Sequence, residues 1–355
     1  MKKLDILTAP FVQEVMKTSA NLYRLGWDER NGGNISYLLD EDWITPFLDV
    51  TQVIREIPIK FDASKLAGRY FAVTGSGKYF KNIQDFPAEN MGIIRISDSG
   101  NTVELLWGLE NDALPTSELP SHFMSHIARL EVDPENRIIM HNHATHLLAM
   151  TFTHELNERT FTRTLWQMCT ECLVVFPEGL SIIPWLIPGS NEIGEATASK
   201  MKETRLVVWP QHGIYGAGRD MDETFGLIET AEKAAQVYTY VQAQGGVRQT
   251  LEDENLQRLA DAFGVTPHEG YLDIKKAVKM QLLKGCEKEY QKRHDEIWPE
   301  MVEMLKVHGV ISYSIFLDPF TCALYAYLEI EDEERWLKTS KTVVNKKWWD
   351  FMSDI

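Results

Sequence analysis

The apolar positions of this chain fall into two rhythms. Val12, Val15, Met16, Ala20 and Tyr23 recur at helical spacing and predict a helix from Val12 to Leu25. Met221 to Ala243 reads as a second, long helix. Short apolar runs predict strands at Tyr70-Phe-Ala-Val73, Arg137-Ile-Ile-Met140, Cys172-Leu-Val-Val-Phe176 and Leu206-Val-Val-Trp209. These runs end where polar residues gather, which places polar side chains at a sheet rim. Together they predict a mixed α/β unit.

After Gly270 the pattern changes. Ala277 to Leu282 reads as a strand, and Glu287 to Val307 as one helix. Tyr290, His294, Ile297, Trp298, Met301, Val302 and Leu305 share one stripe of that helix. Two strands, Tyr313 to Leu317 and Ala323 to Ile330, precede a last helical region bearing Trp336, Trp348 and Trp349. The order βαββα predicts a small α+β, ferredoxin-like unit. The join, Gly264-Val-Thr-Pro-His-Glu-Gly270, carries the punctuation of a linker, so the expected domains are 1–270 and 271–355.

Composition narrows the function classes. A chain of 355 residues suits two domains. The net charge of -16 argues against a nucleic-acid surface or an anionic-membrane binder. Residues 1–270 carry -14 of it and residues 271–355 only -2. No apolar stretch approaches a membrane span, and the N-terminal apolar run is too short for a signal peptide. Four cysteines, Cys169, Cys172, Cys286 and Cys322, are too few for a disulfide scaffold and suit a reducing cytoplasm.

Histidine spacing is the strongest chemical signal. The strand ending at Met140 runs into His141-Asn-His143. In extended backbone, residues i and i+2 point to one side, so the two imidazoles converge. His212, in the turn Pro-Gln-His-Gly213, offers a third nitrogen, and three histidines with an open position suit a catalytic metal. Two exposed strand-end histidines and a turn histidine would give the same spacing. His146 falls on a following helix and reads as a supporting or surface residue.

Pro115-Thr-Ser-Glu118-Leu-Pro120 reads as a helix start in which Thr116 or Ser117 caps. Glu118 then sits near the positive helix end, as a general base, a labile ligand or part of a plain capping segment. His122 and His126 share its helical face. Two glycine loops, Asn31-Gly-Gly-Asn34 and Thr74-Gly-Ser-Gly-Lys78, could offer N–H groups to a phosphate, and the first could equally be a hairpin turn. Cys169 and Cys172 read as free thiols rather than a redox pair.

These blocks, with Leu106-Trp-Gly-Leu109, Thr170-Glu-Cys172 and Asp222-Glu-Thr-Phe-Gly-Leu227, resemble the class II L-rhamnulose-1-phosphate aldolase family over roughly residues 10–268. The resemblance implies a class II aldolase fold, a central sheet flanked by helices. It implies His141, His143 and His212 as ligands of one zinc ion per subunit, Glu118 as a catalytic glutamate, and Glu171 as a second acid/base that acts near a subunit boundary. Asn31, Gly32, Asn34, Ser76, Gly77, Thr116 and Ser117 would bind the substrate phosphate. A homotetramer acting on a sugar phosphate is the implied assembly. A related epimerase is the alternative for this part.

Tyr290-Gln-Lys-Arg-His294, Ile297-Trp-Pro-Glu300, Leu305-Lys-Val-His-Gly309, Glu333-Glu-Arg-Trp336 and Trp348-Trp349 resemble the L-rhamnose mutarotase family. That resemblance implies His294 as acid/base, with Tyr290, Tyr313, Trp348 and Trp349 lining a rhamnose site. The family continues past the segment resembling Trp349 to Asp354 with a further strand, so this unit reads as truncated. An oligomerisation or binding module is the alternative.

Overall fold

A computed structural model describes residues 3–355. The chain divides into two compact units, Met1–Leu251 with Phe263–Thr266, and Glu252–Ala262 with Pro267–Ile355. The helix Asp253–Phe263 thus groups mainly with the C-terminal unit, where the Asp253 carboxylate accepts the Asp273 N–H.

The first unit is built on nine strands: β1 Asn34–Leu39, β2 Arg55–Pro58, β3 Tyr70–Thr74, β4 Met91–Ile96, β5 Thr102–Gly108, β6 Ile138–Asn142, β7 Ser181–Ile182, β8 Leu206–Trp209 and β9 Gly213–Gly218. They form one sheet in the order β2-β5-β4-β3-β1-β6-β9-β8-β7, antiparallel except for β7 beside β8. Helices flank both faces. Tyr215 and Ala217 point into a core shared with Ala128 of the helix Leu119–Val132. The intervening Gly216 leaves no room for a Cβ against Ile228 of the helix Met221–Ala243. Period-two alternation in β9 thus separates the two faces.

The helix Pro10–Leu25 forms as predicted, but its buried stripe is shifted: Val12 and Val15 are buried with Phe11 and Leu22, Met16 and Ala20 are half-buried, Tyr23 is exposed, and Gly26 closes the helix at φ 77°. The predicted long helix occupies Met221–Ala243. One strand prediction fails. Cys172 to Phe176 is not a strand, because Thr170–Val175 forms a helix. Cys172, Leu173 and Phe176 are buried, a one-turn pattern rather than an alternation. Packing against the neighbouring helices overrides the strand preference of the Val-Val pair.

The C-terminal unit holds β10 Ile274–Gln281, β11 Val310–Asp318 and β12 Ala323–Ile330, paired antiparallel in the order β10-β12-β11. The single helix predicted over Glu287 to Val307 is two, Glu287–Asp295 and Pro299–Val307. Pro299 has no N–H to continue the first helix, and it holds Trp298 extended at ψ 135°. Among the described residues, no helix is long and apolar enough to cross a membrane.

Candidate active site

Three adjacent strands line up the first elements of the site. Asn34 on β1 pairs with His141 on β6, and His141 pairs with Tyr215 on β9. The His141 and Tyr215 rings stack at 4.6 Å. His143 follows just past β6, and the turn between β8 and β9 brings His212 over the same spot. Ring centroids lie 4.8 to 5.3 Å apart among the three histidines. Their ligand nitrogens all fall within 4.8 Å of one another. The convergence expected from the His-x-His spacing is present.

The donor set suits a metal ion. His141 Nδ1–H donates to the Ile214 carbonyl at 3.0 Å, which leaves Nε2 as a lone-pair nitrogen. That Nε2 is buried and has no hydrogen-bond partner. Burial, then the neighbouring His212 and His143, holds the His141 pKa well below the ordinary histidine value. Burial, then His143, pulls His212 down to about 4. Neutral imidazoles are the form that binds a metal. Glu29 places both carboxylate oxygens 3.1 Å from His143 Nδ1 and orients that ring.

Glu118 stands beside the cluster. Its Oε2 lies 3.7 Å from His141 Nε2, and its Oε1 3.9 Å from His212 Nε2. It is the residue that begins the helix Leu119–Val132, with Pro120 in the first turn. The expected cap by Thr116 or Ser117 is replaced by a local turn, in which Thr116 Oγ accepts from the Glu118 N–H at 3.2 Å. Burial raises the Glu118 pKa, while donation from Tyr215 and Asn34 opposes the rise. Tyr215 Oη donates to Oε2 at 2.6 Å and Asn34 Nδ2 to the same oxygen at 3.1 Å.

The loops converge on one cleft of about 270 Å³. Glu118, His143 and His212 line it together with Asn31, Gly32, Asn34, Ser76, Gly77, Thr116 and Ser117. A bridge between Gly75 and Pro115 joins the second glycine loop to the Glu118 segment. Gly32 approaches His143 so closely that a Cβ would lie 2.8 Å from Cε1. Gly33, at φ 73°, leaves no space for a Cβ against Asp28 Oδ1.

Other candidates fall elsewhere. Glu171 is exposed, accepts from Cys169 Sγ at 3.1 Å and does not line this cleft. Both neighbouring cysteines are free thiols. His146 pairs with the buried Glu232 at 2.7 Å, and Glu232 also accepts the His146 and Leu147 N–H groups. In the C-terminal unit, Tyr290 and His294 stack at 4.2 Å, and Trp348 meets His294 edge-on at 5.3 Å. Tyr313 packs edge-on to Trp336 and acts electrostatically on Tyr290. Trp349 is 53% exposed, and no ring packs on it among the described residues.

Two supporting residues, Tyr215 and Glu29, escaped the sequence reading. A tyrosine inside the apolar run of β9 was the available signal for the first, since a buried hydroxyl needs a partner. Glu29 lies two residues ahead of the Asn31-Gly-Gly-Asn34 loop, with no spacing to tie it to His143.

Residues 13–239 match the class II aldolase and adducin N-terminal domain, and residues 275–355 match L-rhamnose mutarotase. The chain is 74% identical over 279 residues to a rhamnulose-1-phosphate aldolase of Enterococcus faecalis, spanning 79% of this chain and 100% of that protein. It is 70% identical over 269 residues to a rhamnulose-1-phosphate aldolase of Listeria monocytogenes, spanning 76% and 98%. A solved sugar-phosphate aldolase from Thermotoga maritima has a TM-score of 0.59 at 29% identity, over 66% of this chain and 96% of that one.

Proposed function

Since the chain belongs to the class II aldolase family, we propose that it cleaves L-rhamnulose 1-phosphate to dihydroxyacetone phosphate and L-lactaldehyde at the His141–His143–His212 cleft. The observation that carries this reading is the meeting of three metal-competent histidines, of which His143 and His212 line the cleft and His141 is buried beside them, with a buried glutamate and two glycine loops. Zinc is the proposed metal, held by the three histidines, which suit its preference for neutral imidazole nitrogen. When bound there, it would supply Lewis-acid polarisation of the substrate ketone.

The chain's own residues do the rest. Backbone and hydroxyl groups of Asn31, Gly32, Ser76, Gly77, Thr116 and Ser117 hold the phosphate and position the reacting carbons. Asn34 links this cradle to Glu118. Glu171 accepts the proton of the hydroxyl that becomes the aldehyde. The electrons of the breaking C–C bond pass to the ketone side. Glu118 delivers a proton to the carbon left behind. Because Glu171 does not line its own chain's cleft, it is proposed to serve the cleft of a neighbouring copy in a homotetramer. Mixed Glu118→Gln and Glu171→Gln subunits should then regain activity that neither variant has alone.

The deciding assay is dihydroxyacetone phosphate release before chelation, after chelation and after zinc return. Loss and recovery support the reading, and no release from zinc-loaded protein refutes it.

A second activity, interconversion of L-rhamnose anomers, is proposed for residues 271–355 because Tyr290, His294 and Trp348 form one aromatic cluster around a proton-transfer group. Anomer exchange followed by NMR tests it. No acceleration by the full chain would leave that unit a binding or oligomerisation module.

A further inference from the structure

Behind Asn34 and Glu118, which line the cleft, lie three buried polar residues that do not: Ser36, His122 and His126. Asn34 and Ser36 sit on one face of β1, and Glu118, His122 and His126 mark successive turns at the start of the helix Leu119–Val132. Two strand residues advance about 6.8 Å and four helical residues about 6 Å. The two repeats nearly match, so strand and helix side chains interleave. Ser36 Oγ lies 2.7 Å from His122 Nδ1 and 2.8 Å from His126 Nε2. His122 Nε2 bonds to Asn34 Oδ1, and Asn34 Nδ2 donates to Glu118 Oε2.

The chemistry of the ends sets the direction. Asn34 must donate with its nitrogen to the carboxyl, so its oxygen accepts from His122 Nε2–H. His122 Nδ1 is then a lone pair and accepts from the Ser36 hydroxyl, whose oxygen accepts from His126 Nε2–H. His126 Nδ1 is buried without a partner. In this direction the unpaired atom is a lone pair. In the reverse direction it would be an N–H, and unpaired buried donors are the rarer case. Burial keeps both histidines neutral, with His126 pulled down to about 3.

We propose that His126, Ser36 and His122 form a one-way hydrogen-bond relay that locks the Asn34 amide and thereby assigns Glu118 Oε2 to anchoring and Oε1 to proton transfer. Oε2 receives both anchoring donors, Asn34 Nδ2–H and Tyr215 O–H. Oε1 remains toward His212, which lines the cleft. His122, Ser36 and His126 are positioning residues, because none of them lines the cleft. This deepens the proposed function and rests on the assignment of Glu118 to proton transfer.

The test joins a tautomer measurement to kinetics on the metal-loaded full chain. In a histidine-selective 15N spectrum, His122 should carry its proton on Nε2 and none on Nδ1. An Nδ1–H tautomer overturns the relay. His122→Leu should lower kcat for L-rhamnulose 1-phosphate cleavage about 10- to 100-fold, with KM within about threefold. His122→Gln, which restores an N–H near the Nε2 position, should recover most of the loss. Ser36→Ala, the smallest change, should lower kcat in the same sense and serves if His122→Leu does not fold. Wild-type kcat in folded His122→Leu or in Ser36→Ala overturns the proposal. Glu118→Gln is assayed beside them: if it keeps full turnover, the function reading fails with the proposal. If it is inactive while the relay variants are wild-type, only the relay fails.

Discussion

Asn34 and Tyr215 stand two strands apart, yet both donate to the same oxygen of Glu118. His141 lies between them in the cross-strand row and packs its ring on Tyr215. The sheet therefore does more than carry the histidines. It presents a flat row from which two donors reach over the candidate metal ligand to grip the glutamate. Glu118 is buried, so each donor offsets part of the desolvation that raises its pKa.

Tyr215→Phe tests that grip with little disturbance of packing. The ring keeps its stack on His141 and Trp209, and only the hydroxyl is lost. A hydrogen bond to a buried, charge-bearing group contributes about 1.5–3 kcal/mol. If that bond acts in the transition state, kcat for aldol cleavage should fall by about tenfold or more. Steady-state kinetics with an unchanged metal content would support this, and an unchanged kcat would show that Asn34 suffices.

Glu29 should act through the metal site. Its carboxylate holds His143 Nδ1–H and favours the tautomer whose Nε2 is free to bind. Glu29 is largely exposed, so the effect should sit at the low end for a supporting carboxylate. Glu29→Ala should weaken metal binding about tenfold. Competition against a chromogenic chelator measures this directly, whatever the activity does.

The parts of the site that were legible in the sequence are local. His141 and His143 are two residues apart, the glycine loops are contiguous, and Glu118 opens a helix beside Pro120. The supporting partners are remote. Tyr215 reaches Glu118 across 97 residues, Glu29 reaches His143 across 114, and His122 reaches Asn34 across 88. Strand order alone makes them neighbours, and no spacing encodes it. The same limit explains the misread strand at Cys172 to Phe176, where apolar residues suit either element and neighbouring helices decide. It also explains the helix break before Pro299, since the stripe continues across a residue that cannot continue the backbone bonds.

The buried histidines should make the protein acid-sensitive. His126 is held near 3 by burial, below its ordinary 6.5. Between those values the unfolded chain binds a proton that the folded chain does not. Stability is then fully present above pH 6.5 and is lost as pH falls toward 3. Each such histidine costs on the order of 1 kcal/mol per pH unit. His126→Gln keeps a donor for Ser36 and does not titrate. Its urea midpoint should fall less between pH 7 and pH 5 than that of the wild-type chain, while equal falls would exclude His126 as a source.

The C-terminal unit gives a prediction that separates the two proposed activities. His294 is half-buried between Tyr290 and Trp348, and desolvation holds its pKa below the ordinary histidine value, against the Tyr290 carbonyl that raises it. It is therefore neutral at neutral pH, with one ring nitrogen able to accept a proton and the other to donate. Nδ1 faces the Tyr290 carbonyl at 3.1 Å and donates to it, so Nε2 is the accepting nitrogen. Anomer exchange should hold level at neutral pH and fall as acid charges the ring, with its midpoint below the ordinary histidine value. His294→Ala should abolish exchange measured by NMR while leaving dihydroxyacetone phosphate release intact, because His294 lies outside the unit that holds the histidine-lined cleft. Loss of both activities together would instead make His294 a folding residue for the whole chain.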